Sequence, residues 1–291
     1  MIENSNYKLK ILSLGAGVQS STLLLMACKG IIEKPNLAIF ADTGWESQAT
    51  YIHLEWLKIE AGKHGIEVIT CENGNIRDKM IISVYGKKEN KNGERWASMP
   101  CYVNNDGKIG MMRRECTYEH KITPIKKATR KVLGLIPHQR APKDCVEQWI
   151  GFSTDEAQRV FARKKDRMTF LRFPLLEMNM SRTDCQKWLY DNYQIVVPKS
   201  SCIGCPFHNN NEWKALPANE FKDACEFDKA IRHKVGLRGT SYLHRSCKPL
   251  EDVDFRSTQE IMEQDYGQQN WIKDEKLNLF VNNISIADVN A

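Results

Sequence analysis

Residues 10–30 read KILSLGAGVQSSTLLLMACKG. A short apolar run, Lys10–Leu14, ends in a glycine-rich loop, and a buried-helix pattern from Ser20 to Gly30 follows at once. Strand, tight turn and helix in that order open an α/β unit. The pattern then repeats. Leu37–Phe40 is a second short strand. Residues 47–64 place Tyr51, Leu54, Leu57 and residues 59–61 near helical spacing, with Gly62 and Gly65 marking the end. Ile66–Thr70 is a third strand, Trp149–Phe152 another, and Thr183–Tyr193 a helix started by a Ser181/Thr183 cap. The alternation predicts an α/β fold with a doubly wound, mostly parallel sheet and helices on both faces. A smaller, mainly helical C-terminal part is expected to follow it.

The chain has 291 residues, 42% hydrophobic and 27% charged, the balance of a folded globular protein. No run approaches the ~18 apolar residues that span a bilayer, so no membrane partner is expected. The start, MIENSNYKLKILSLG, lacks the apolar core of a signal peptide, which predicts a cytoplasmic location. Thiols there are kept reduced, so the ten cysteines need an explanation other than disulfides. Charge is uneven: residues 113–143 hold nine Lys/Arg and two acids, whereas 251–291 hold three bases and nine acids. A basic helix face is either solvated surface or a site for phosphates.

The loop has the chemistry of a phosphate cradle. Glycines let the backbone turn tightly, and the following helix offers free N–H groups and its positive dipole end. Ser20, Ser21 and Thr22 add hydroxyls. No Gly-Lys-Ser/Thr follows, so this is not the P-loop of kinases and GTPases, and Ser20 leaves the dinucleotide fingerprint incomplete. Helix–strand packing alone would also use such glycines. Strand two ends in Ala41-Asp42-Thr43-Gly44-Trp45-Glu46. Ligands of an open parallel sheet sit at the carboxyl ends of its strands, so Asp42 and Thr43 belong beside the loop. Asp42 could accept from a ribose or adenine donor or hold a metal; either residue could instead cap the next helix.

Two further stretches complete a pattern: Gly151-Phe152-Ser153-Thr154-Asp155-Glu156-Ala157-Gln158-Arg159, then Phe173-Pro174-Leu175-Leu176 leading to Ser181-Arg182-Thr183-Asp184-Cys185. Over residues 10–215 the chain resembles the PP-loop ATP pyrophosphatase superfamily, in particular its phosphoadenosine-phosphosulfate-reductase-like branch. The resemblance implies a five-stranded parallel sheet with ATP, or a related adenine nucleotide, and Mg²⁺ at its carboxyl edge. It implies nucleotide contacts from Ser13, Gly15, Ala16, Gly17, Gln19, Ser20, Ser21, Asp42, Thr43, Gly44 and Gly151, and catalytic roles for Ser20, Asp42 and Arg159. The superfamily's fuller loop, Ser-Gly-Gly-x-Asp-Ser, has an Asp that helps hold the metal; Gln19 stands in its place here. Two units are expected: a nucleotide-binding domain over residues 1–200, with an exposed excursion or lid at 86–112, and a cysteine-bearing region over 201–291 with an acidic tail.

Cys202-Ile203-Gly204-Cys205 is a compact CxxC, suited to a metal or a redox pair. Cys116, after Arg113 and Arg114, is a candidate third ligand. Thiolating members of the superfamily carry an iron–sulfur cluster, so the resemblance implies a 4Fe–4S cluster on Cys116, Cys202 and Cys205, ahead of zinc. Cys101, His208 and Cys247 compete as the fourth ligand. Cys28 and Cys185 are expected in the core. Arg113, Arg114, Arg182 and Arg245, with Glu156, are candidates for substrate or phosphate, because Arg's planar fork suits such oxygens; surface ion pairs are the alternative.

The expected function is an ATP pyrophosphatase that adenylates an acceptor and then inserts sulfur, a sulfurtransferase acting on nucleic acid or a nucleotide. The expected partners are an adenine nucleotide, a nucleic-acid acceptor, a sulfur donor such as a cysteine desulfurase, and a second copy in a homodimer. A sulfonucleotide reductase is one alternative, but it needs a reactive cysteine in a C-terminal tail, and the last here is Cys247. A non-catalytic adenine-nucleotide sensor is the other, left open by Gln19.

Overall fold

Strand β1 (Leu9–Leu14) runs into helix α1 (Val18–Cys28), then β2 (Leu37–Asp42), α2 (Gln48–Lys63) and β3 (Glu67–Glu72). Helix α3 (Ile76–Ile82) and a hairpin of β4 (Tyr102–Asn105) and β5 (Lys108–Met111) follow. A π-helical turn at Tyr118–Ile122 leads into α4 (Thr123–Val132), β6 (Val146–Trp149), β7 (Thr169–Arg172), α5 (Pro174–Glu177) and α6 (Arg182–Tyr193). Helices α7 (Asn210–Lys214) and α8 (Ala218–Ile231), strand β8 (Thr240–Tyr242) and a 3-10 turn at Leu250–Asp252 come last among the described residues. The structure is a computed structural model and describes residues 8–83, 98–161, 166–257 and 260.

Five strands form one all-parallel sheet in the order β3-β2-β1-β6-β7. This is the α/β fold that the alternation predicts. The chain winds outward from β1 to β3, returns, and winds outward again from β6. The strand order therefore switches between β1 and β6, where such sheets open a crevice for ligands. Alternate residues face opposite ways. Leu12, Leu14, Phe40 and Trp149 pack with Leu23 of α1, Leu57 of α2 and Leu189 of α6. Ile11, Ile39 and Val146 meet Ile125 of α4 on the other face. Every residue of α1 is buried, which explains its unbroken apolar run.

Strand β6 begins three residues before the expected Trp149–Phe152 strand. Its Glu147 disguises it, a carboxylate on a buried strand. That carboxylate accepts from Trp149 Nε1 at 2.6 Å and lies 3.5 Å from Arg172. Of the expected excursion at 86–112, residues 98–112 fold into the second layer. Asp106 (φ +51°) and Gly107 (φ +84°) make a two-residue turn between β4 and β5, a sequence suited to left-handed backbone. β4 also pairs with β8, and Met99, Cys101 and Met112 join Trp45, Trp213, Phe227 and Leu243 in a second core. Residues 84–97 and the acidic tail from 261 onward lie outside the described residues. Among the described residues no helix is long and apolar enough to cross a membrane.

Candidate functional site

The loop after β1 turns through Ala16, whose φ of +51° costs a non-glycine residue about 1 kcal/mol. Gly17 then takes the N-cap of α1, and no side chain caps the helix. The first amides of α1 thus lack a side-chain acceptor, which leaves them to an anion. Ser20 braces the loop from within: its Oγ accepts from the Gly15 amide at 3.1 Å and donates to the Gly17 carbonyl at 3.3 Å. Ser200 Oγ donates to the Gly15 carbonyl from the C-terminal side. A Cβ on Gly151 would lie 3.1 Å from the Ser20 amide nitrogen. Gly151 is therefore required by the close approach of the β6 turn to α1.

The rim of this crevice is a polar network. Gln19, 8% exposed, donates from Nε2 to Glu156 at 3.2 Å and accepts from Arg182 Nη1 at 3.3 Å. Glu156 also pairs with Arg159, whose guanidinium lies over the Phe152 ring. Asp155 accepts from the Arg182 amide at 2.6 Å and from Ser153 Oγ at 3.2 Å, and the Arg182 contact holds its carboxyl below the usual range. The loop and the Asp-Glu-x-x-Arg stretch, far apart in sequence, thus share one network. Through its bond to Gln19 Nε2, Glu156 brings a carboxylate to the Gln19 side chain at the start of α1.

Three expected contacts face elsewhere. Ser13 Oγ accepts from Gln148 across the β1–β6 pair at 2.6 Å. Ser21 is fully buried and bonds His53 Nε2 at 2.9 Å, so its hydroxyl belongs to the α1–α2 interface. Burial holds His53 down to about 4. Thr43 points away from the loop, to Glu46 at 3.0 Å and Cys202 Sγ at 3.3 Å. Asp42 does stay at the strand end, accepting from the Gly44 amide at 2.7 Å and from Tyr51 Oη at 2.8 Å. Gly44 has φ +73° and packs against Asn75.

Beyond Thr43 lies a group of cysteines. Ile203 N–H donates to the Trp45 carbonyl at 2.9 Å, which pins the CxxC loop to the end of β2. Cys116 and Cys202 both pack against the second core. Cys116 and Cys205 are close enough for the charge of one to raise the other, and Cys202 and Cys205 are likewise coupled. Burial pushes the Cys202 and Cys205 thiols up, while Lys121 opposes the rise at Cys202. Cys101 feels both Cys116 and Cys205. His208 instead turns its Nε2 to the Cys202 carbonyl at 3.1 Å, and burial alone pushes the Cys247 thiol up. Cys28 and Cys185 lie in the first core. In kind the donors fit a thiolate-held cluster. In spacing they do not close around one: among the described residues no three His, Cys, Asp or Glu side chains gather as metal ligands.

Neither protein-family models nor curated proteins give a match to this chain. The remaining candidates scatter. Arg114 lies over the Phe207 ring at 5.0 Å, beside the CxxC. Arg113 pairs with Glu115 at 3.3 Å in the open. Arg245 is exposed beside His244, and no contact among the described residues ties it to the loop. Two site residues escaped the sequence reading. Glu46 is 2% exposed, with one carboxylate oxygen 3.6 Å from Lys121 and 3.9 Å from Cys202 Sγ and the other buried without a partner. Ser200 is the second; it sits two residues before Cys202 and contacts the loop. An acid two residues after the Asp42-Thr43-Gly44 stretch was the available signal.

Proposed function

We propose that the chain binds ATP at the β1–β6 switch point, adenylates an acceptor, and passes it to a sulfur-insertion step. The observation that carries this reading is the adjacency of an uncapped α1 N-terminus, the Gln19–Glu156–Arg182 network and a group of cysteines. The α1 amides and Ser20 would hold the β- and γ-phosphates, and Asp42 would accept from the ribose. An acceptor oxygen attacks the α-phosphorus as the bond to the bridging oxygen breaks. Pyrophosphate leaves with the electron pair, and the acceptor's proton passes to solvent. Arg159 and Arg182 would offset the charge that develops on the leaving group. The protein's share is placement and neutralisation rather than covalent chemistry.

Mg²⁺ would arrive with the nucleotide, and Glu156 is the carboxylate joined to the loop through Gln19. Cys116, Cys202 and Cys205 are the soft donors that the implied iron–sulfur cluster would need, but they would have to draw closer to hold it, and no step of the adenylation is routed through it. Pyrophosphate release from ATP, measured with and without DNA or RNA, tests the reading. Release that falls at least tenfold in Arg182→Ala supports it. No release under any condition would sink it in favour of a nucleotide sensor.

A further inference from the structure

The sheet is covered unequally. Helices α1, α2 and α6 pack on one face, whereas α4 on the other face leans on β2 and β3. Beside α4, over the later residues of β6 and over β7, the described residues leave the sheet face open. The result is an open cleft of about 1320 Å³, floored by Gln148, Ile150, Thr169 and Leu171. Six cations line it: Arg113, Arg114, Lys126, Lys127, Arg130 and Arg167. Three acids, Glu115, Glu119 and Asp166, are interleaved; Glu115 pairs with Arg113 at 3.3 Å and Asp166 with Lys126 at 2.5 Å. No ion pair among the described residues engages Lys127 or Arg167. Tyr118, 63% exposed, lies in the same wall. The lining runs from Arg113–Glu115 and Ile150, just past the end of β6, to Met168 and Thr169 at the start of β7.

We propose that this cleft holds a single strand of nucleic acid, its phosphates on the α4 cations and a base against Tyr118. A row of cations with an exposed aromatic is how sequence-tolerant proteins hold single strands. An acidic peptide would use the cations but not the ring. A duplex keeps its bases stacked, so it would use the cations but not the ring. The strand would run from Arg167 to Arg113 and reach the crevice where the adenylyl group is transferred. Its role as the acceptor rests on the adenylation reading; its binding does not.

The test is fluorescence anisotropy of a labelled single-stranded 12-mer with the full chain, without ATP, over a range of salt. Binding should weaken steeply with salt. Lys127→Ala with Arg167→Ala should weaken it at least fivefold and flatten the salt slope by about 1.4, the share of two released counterions on a single strand. Tyr118→Ala should weaken it several-fold without changing the slope. Lys58→Ala with Lys63→Ala, on α2 across the sheet, should leave it unchanged. Circular dichroism establishes that each variant is folded. No binding at low salt, equal loss in the α2 variant, or equal affinity for poly-glutamate would overturn the proposal. Because ATP is omitted, failure here and failure to release pyrophosphate are separate results.

Discussion

Gly204 sits against the indole of Trp45, and a Cβ there would lie 2.2 Å from Trp45 Cη2. Trp45 cannot yield, since its Nε1 donates to Asp223 at 2.5 Å and its ring meets Phe227 edge-on at 4.6 Å. Gly204→Ala should therefore cost about 1–3 kcal/mol, seen as a lowered thermal midpoint. Gly62, inside α2 with open space around it, is the contrast: Gly62→Ala should stabilise by about 0.5–1 kcal/mol. The same scale tests the cluster. After anaerobic purification, iron and sulfide should be lost in Cys116→Ala, Cys202→Ala and Cys205→Ala and kept in Cys28→Ala. A colourless, iron-free parent protein refutes the cluster outright. The CxxC was legible as a motif, but the reason for its inner glycine was not, because Trp45 lies 159 residues away from Gly204 in the chain.

Helix boundaries follow local chemistry, and α6 is the clearest case. Ser181 and Asp184 form a reciprocal capping box, which sequence alone suggests from the hydroxyl before the helix. Ser181→Ala should cost about 1 kcal/mol in urea unfolding. Helix α2 and the π-helical turn carry a pH response. Burial holds both His53 and His120 at about 4, against 6.5 for an ordinary histidine. The folded protein thus takes up these protons only near pH 4, while the unfolded chain takes them up near 6.5. Stability should be full above 6.5 and fall as pH drops toward 4, by on the order of 1–3 kcal/mol for each histidine. Urea midpoints of the parent and of His53→Asn between pH 7 and 4.5 check this; an identical slope in both would reject His53 as a contributor.

At the scale of the molecule, two cores meet at the end of β2. Phe40 lies in the first and Trp45 in the second, so only four residues separate the loop side of β2 from the cysteine side. Phe227→Ala should cost about 3–5 kcal/mol and speed labelling of Cys202 and Cys205 by a thiol reagent. Leu57→Ala, in the first core, should cost about 2–5 kcal/mol yet leave the labelling rate unchanged under native conditions. Equal labelling in both variants would show that the cysteine group does not depend on the second core.

The sequence by itself determined the parallel sheet, because periodicity and glycine punctuation are local. Lys10–Leu14, Leu37–Phe40 and Ile66–Thr70 could hardly be anything but strands between helices. It also singled out the loop, Asp42 and the CxxC, whose residue types carry their chemistry. Only the tertiary structure decided which way side chains turn. Ser21 goes to His53 and Thr43 to Cys202, although both stand in the motif. Gln19 meets Glu156 because the sheet switches direction between β1 and β6. The basic stretch from Arg113 onward becomes one wall of a cleft because α4 leans on β2 and β3 and stands beside β7 rather than over it. These are long-range facts, fixed by packing between elements, and no window of sequence contains them.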